Sequence, residues 1–163
     1  MRTICLLLCL ALPSVARGQA AAAPAPSAAA AAVGAFFALS VADMDASVRW
    51  YTEKLGLEVA MTVPRRDKVA VTVLEGDGLI VELIQNDDAM PLSRAAPAMA
   101  NNILVHGIFK VGVIVPDFDR TLATLRARQV EIAYGPFPAR PDQRANVVVR
   151  DNAGNLIQFF GKR

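Results

Sequence analysis

The chain has 163 residues, with 17 basic and 15 acidic side chains, one histidine and two cysteines. A formal charge of +2 leaves no electrostatic footprint for nucleic acid or an anionic membrane. The 54 % hydrophobic share overstates the core, because much of it is alanine outside any periodic pattern; about 130 residues remain to fold as one domain.

The opening, Met1-Arg2-Thr3 followed by the apolar run Ile4 to Leu12 and Pro13, has the anatomy of a secretory signal peptide. Nine residues cover roughly half of a hydrocarbon core, too little for a membrane-spanning helix. A signal peptide over 1–18 is expected, with cleavage after Gly18 or Ala20 and export to the periplasm or the extracellular space. Cys5 and Cys9 both lie in the leader, so the mature chain carries no disulfide, thiolate ligand or cysteine nucleophile. Loss of Arg2 and Arg17 leaves it with balanced charge and no membrane contact after processing. Residues 19–33, QAAAAPAPSAAAAAV, are interrupted by Pro24 and Pro26 and read as a flexible Ala/Pro linker.

A strand is expected over Ala35 to Val41. Asp43 then N-caps a helix over Ala46 to Leu55, with Val48, Tyr51 and Leu55 on one face and Gly56 closing its C-terminus. Strands follow at Leu57 to Val63, Lys68 to Leu74 and, after the Gly76-Asp77-Gly78 turn, Leu79 to Gln85. An irregular linker with Pro91 and Pro97 comes next. The series then repeats: strand Gly107 to Val115, helix Arg120 to Gln129, and strands Val130 to Tyr134, Arg144 to Arg150 and Asn155 to Phe160.

The repeat is also visible in the residues themselves. Val41-Ala42-Asp43-Met44-Asp45 recurs 74 positions later as Val115-Pro116-Asp117-Phe118-Asp119. Gly78-Leu79-Ile80-Val81-Glu82-Leu83 pairs with Gly154-Asn155-Leu156-Ile157-Gln158-Phe159, 76 positions on. Two β-α-β-β-β modules result, one over 34–86 and one over 106–162, joined by a linker over 87–105 within a single domain over 34–162.

The run Ser40 to Val59, with its V-x-D, the aromatic pair Trp50-Tyr51 and Leu55-Gly56, resembles the opening of the vicinal oxygen chelate superfamily, which includes glyoxalase I, bleomycin-resistance proteins and extradiol dioxygenases. Asp151 to Phe160, DNAGNLIQFF, is similar to that family's D-P-x-G-N-x-x-E ending. The resemblance implies an α+β fold in which the sheets of two tandem βαβββ modules curl into a cup. It also implies four metal-ligand positions inside the cup, which here fall on Phe36, Glu82, Lys110 and Gln158.

These four residues are a poor metal set, because a divalent site draws its N and O ligands mainly from histidine and carboxylate. Phe36 donates nothing, Lys110 places a positive charge where the cation would sit, and only Glu82 is a good ligand. No metal or other cofactor is expected. Lys110 and Glu82 either pair across the cup, neutralising a vestigial site, or hydrogen-bond a polar ligand with Gln158 while Phe36 holds its apolar part. A third option makes Lys110 an amine nucleophile.

His106, near the start of the sixth expected element, reads as a structural or solvated histidine. Trp50 and Tyr51 read as helix packing, Arg65-Arg66 as a solvated turn, and Pro136 to Asp142, with Arg140 and Arg144 close by, as a proline-stiffened loop. The function favoured by these residues is metal-free binding of a small amphipathic molecule. The alternatives are a divalent-metal-dependent lyase of the glyoxalase I type or a dioxygenase, and a protein-interaction module, with a homodimer compatible with each.

Overall fold

The computed structural model describes residues 36–99, 102–104 and 106–162. The expected leader and Ala/Pro linker lie outside the described residues. The first module runs β1 (Phe36–Ser40), α1 (Met44–Trp50), a π-helical turn (Tyr51–Leu55), β2 (Glu58–Arg66), β3 (Val69–Gly76) and β4 (Leu79–Asn86). After a single turn of helix, α2 (Leu92–Ala95), and a 3-10 turn (Asn102–Leu104), the second module gives β5 (Val111–Val115), α3 (Phe118–Ala127), β6 (Glu131–Phe137), β7 (Asn146–Arg150) and β8 (Leu156–Gly161).

The helix of each module, α1 and α3, starts where a side-chain cap is available. Asp43 accepts from the Ala46 amide at 3.0 Å, and Asp117 from the Arg120 amide at 2.9 Å. Gly56 ends the first helical segment at φ 79, a left-handed conformation in which a β-carbon would be strained. The segment is not α-helical throughout, because its last turn, Tyr51–Leu55, widens to π geometry.

The strands form two four-stranded sheets, ordered β1-β4-β3-β2 and β5-β8-β7-β6. In each, the first strand lies parallel to the fourth and the remaining pairs are antiparallel, so each helix carries the chain from one edge of its sheet to the other. This is the α+β arrangement of two βαβββ modules that the sequence implies. The inner edges, β1 and β5, are not hydrogen-bonded to each other. Pro64, which has no amide hydrogen to donate, sits in the outer edge strand β2, where proline is tolerated in a sheet.

One hydrophobic core serves both modules. Tyr51, Leu74, Val81 and Leu83 from the first join Leu125, Val147, Val149, Ile157 and Phe159 from the second. Burying such side chains contributes about 1.5–3 kcal/mol each. Polar ties reinforce the junction: the Tyr51 hydroxyl donates to Asp151 Oδ2 at 3.0 Å, and Asn152 Nδ2 donates to the buried Ser47 Oγ at 3.0 Å. Lys54 Nζ donates to the Arg128 carbonyl at 2.7 Å, and Arg128 Nη1 to the Lys54 carbonyl at 3.2 Å.

Candidate functional site

Strand alternation assigns each sheet a face toward the core and a face turned away from it, the cup face. In module one the register aligns Ala38, Glu82, Val73 and Met61 across the cup face, beside a second row of Phe36, Ile80, Glu75 and Glu58. This face is open, with Phe36 65 % exposed and Ile80 41 %. Glu82 is half-buried, and no hydrogen-bond or ion-pair partner for it occurs among the described residues.

In module two the corresponding row is Gly112, Gln158, Val148 and Tyr134. Here Leu156, Gln158, Val148 and Asn146 are all buried. The Gln158 amide satisfies its burial by donating from Nε2 to Asn146 Oδ1 at 2.9 Å, and Asn146 Nδ2 donates to the Arg144 carbonyl at 3.1 Å. Gly112 permits the close approach of β5 to β8, since a β-carbon there would meet the Gln158 carbonyl oxygen at 2.9 Å.

The main cavity, about 1650 Å³, is the gap between β1 and β5. Phe36 and Lys110 line it, whereas Glu82 and Gln158 stand one strand farther out on either side. The four family positions therefore divide into two that face the gap and two that do not. Lys110 and Glu82 form no ion pair; the ion pairs among the described residues are Arg65–Asp87, Lys68–Asp88 and Arg150–Glu131.

The expected strand Gly107 to Val115 begins only at Val111, so Lys110 precedes β5 and lies exposed, with its ammonium 5.9 Å from the Phe109 ring centroid. The reason is its partner's length. β8 starts at Leu156, and its first register pair with β5 joins Ile157 to Val111. His106 and Arg140 are likewise exposed and outside the cavity lining, and the half-buried Arg144 also lies outside it.

The cavity also draws on residues that sequence reasoning passed over. One stripe of α3, namely Asp117, Arg120, Thr121, Thr124 and Arg128, faces the gap, and Lys54 joins it from the first module. The signal available was the polar stripe at spacing three and four that runs beside the apolar Leu122 and Leu125.

Tyr51 and Asp151 were legible as parts of motifs but not as partners. Asp151 is buried and accepts four hydrogen bonds: from Tyr51, from the Ala153 and Asn155 amides, and from Asn155 Nδ2. Burial, then the charge and hydrogen bond of Asp151, push the Tyr51 phenol far above its ordinary range, so it stays a neutral donor. Its ring meets Trp50 edge-on at 4.8 Å. This cluster is a fastening between modules and has no free group to offer chemistry.

A family model described as the glyoxalase/bleomycin resistance protein/dioxygenase superfamily matches residues 35–159. Among solved structures, a glyoxylase/bleomycin resistance protein/dioxygenase domain from Frankia sp. EAN1pec superposes with a TM-score of 0.63 at 21 % identity, covering 78 % of this chain and 95 % of that one. TnmS3, an antibiotic binding protein from Streptomyces sp. CB03234, gives 0.57 at 18 % identity, with coverage of 81 % and 98 %. A lactoylglutathione lyase from Agrobacterium tumefaciens gives 0.54 at 19 % identity, with coverage of 80 % and 93 %. At these identities the likeness is one of fold. No protein of curated function matches the sequence.

Proposed function

The chain belongs to the glyoxalase/bleomycin resistance protein/dioxygenase superfamily, and from that premise we propose an exported protein that binds a small amphipathic molecule, without metal, in the gap between its modules. The observation that carries this reading is the state of the four family ligand positions. Gln158 has its amide committed inside a buried pair with Asn146, Lys110 presents an ammonium, and Phe36 presents a hydrocarbon ring. Only Glu82 remains as a donor of the kind a divalent ion takes, and a single carboxylate does not hold one. Among the described residues no group of three or more histidine, cysteine, aspartate and glutamate side chains is placed to do so instead.

The gap suits a ligand better than it suits an ion. Its walls combine apolar side chains with charged and hydroxyl-bearing ones, the composition an amphipathic molecule needs, and its volume exceeds the roughly 300–1,000 Å³ of most small-molecule pockets. An antibiotic-binding protein among the structures of the same fold is in keeping with this use. Export rests on the leader read from the sequence.

Metal analysis of protein purified without chelator tests the reading. Far less than one equivalent of Zn, Ni, Mn or Fe is expected, and added metal should leave the melting temperature unmoved. Binding to the folded state alone must raise that temperature by mass action, so a rise of several degrees would overturn the metal-free assignment. N-terminal sequencing of exported material should begin at Gln19 or Ala21.

A further inference from the structure

We propose that the molecule held in the gap is an amphipathic anion, its carboxylate- or sulfonate-type head drawn in by the positive field of Arg120 and Lys110 and its apolar body against the walls; the assignment rests on the binding function proposed above. Four cations line the gap, Lys54, Lys110, Arg120 and Arg128, against two acids, Asp77 and Asp117. The Asp117 carboxylate is already engaged in capping α3. Lys54 and Arg128 each have a structural task, since each donates to a backbone carbonyl near the C-terminal end of the other's helix, where positive charge is favoured.

Arg120 and Lys110 have no such task. Neither side chain has an ion-pair partner among the described residues, where the three pairs lie elsewhere. Arg120 also occupies the first turn of α3, where the helix macrodipole disfavours a cation, so helix stability does not account for it. A guanidinium is well matched to an oxyanion, which it can engage through two parallel hydrogen bonds. Behind these charges the gap is floored by Phe37, Leu39, Leu55, Val113 and Phe159.

The field of the neighbouring surface has the opposite sign. Glu58, Glu75 and Glu82 lie on the cup face of module one, and Glu58 stands directly across from Glu75 with no cation paired to any of the three. An anion is repelled from that face and drawn to the gap. A cationic amphiphile would distribute the other way.

The test uses 8-anilino-1-naphthalenesulfonate and its uncharged analogue N-phenyl-1-naphthylamine, two fluorescent probes that differ by the anionic head. Each is titrated into the purified protein and into Arg120→Gln and Lys110→Gln, both exposed sites expected to keep the parent melting temperature. The sulfonate should bind about tenfold more tightly than the neutral probe. Each substitution should weaken it about fivefold while leaving the neutral probe within twofold. Equal affinity for the two probes, or sulfonate binding unchanged in both variants, would overturn the anion assignment while saturable binding of the neutral probe left the binding function standing. Failure of both probes to bind would remove the two together.

Discussion

Ile80 and Leu156 are counterparts in the repeat and sit on the same face of the same strand in their respective modules, yet Ile80 is 41 % exposed and Leu156 only 4 %. The contrast extends outward from this pair. β7 and β8 are buried on both faces along nearly their whole length, whereas their counterparts β3 and β4 bury only core-facing residues and are half-buried or exposed elsewhere. Glu82 waits half-exposed where its counterpart Gln158 is sealed in with Asn146. The duplicated pattern therefore yields one module that acts as a packed support and one that presents surface. The residues facing the gap come from both modules.

The contrast is most severely tested at Asp151, on the support side. Asp151→Ala strands the Tyr51 hydroxyl, two backbone amides and the Asn155 side chain, and should cost about 3–5 kcal/mol by urea unfolding. A loss under about 1 kcal/mol would mean that module two does not hold module one in place. Next comes the paired comparison. Leu156→Ala should cost about 2–5 kcal/mol, and Ile80→Ala less than about 1, so similar values for the two would erase the distinction between support and surface.

Among the changes at buried side chains the smallest loss is expected from Tyr51→Phe, about 1.5–2 kcal/mol at neutral pH for a hydrogen bond to a charged group. It should also change the alkaline limb. The Tyr51 phenol keeps its proton in the folded protein, while in the unfolded chain it ionises near pH 10. Its stabilising contribution is therefore complete below about pH 10 and lost as the pH rises beyond, where only the unfolded form sheds the proton. Unfolding curves between pH 9 and 11 should fall less steeply for Tyr51→Phe than for the parent.

Much of this architecture could be read from residues with local roles. Asp43 and Gly56 act within three or four positions of themselves, and their assignments as caps stand in the structure, where Asp117, the counterpart of Asp43, caps α3 in the same way. The recurrence of V-x-D and of the G-x-x-x-x-x strand start was enough to count the modules. The start of β5 was not legible, because Ile108 and Phe109 are as apolar as any strand residue and only the length of β8 decides where pairing begins. Nor was the fate of the four family positions. Gln158 looks available until Asn146, twelve residues upstream, is brought alongside it. Lys110 and Glu82 share a plausible parity but stand beside different spaces. The Tyr51–Asp151 bond spans 100 residues, and its only trace in the sequence is a tyrosine expected in the core, whose hydroxyl must find a partner.

Lys54 and Arg128 are 74 positions apart, the same interval that separates Asp43 from Asp117, and each donates to the other's backbone. A contact between counterparts lies on the local dyad. Two separate copies of a single module would meet there as identical residues in an isologous interface, and would fall apart on dilution. The linker between the modules turns that encounter into an intramolecular one at fixed effective concentration. A monomer of this chain thus keeps at any protein concentration an interface that an unlinked pair would keep only when crowded together.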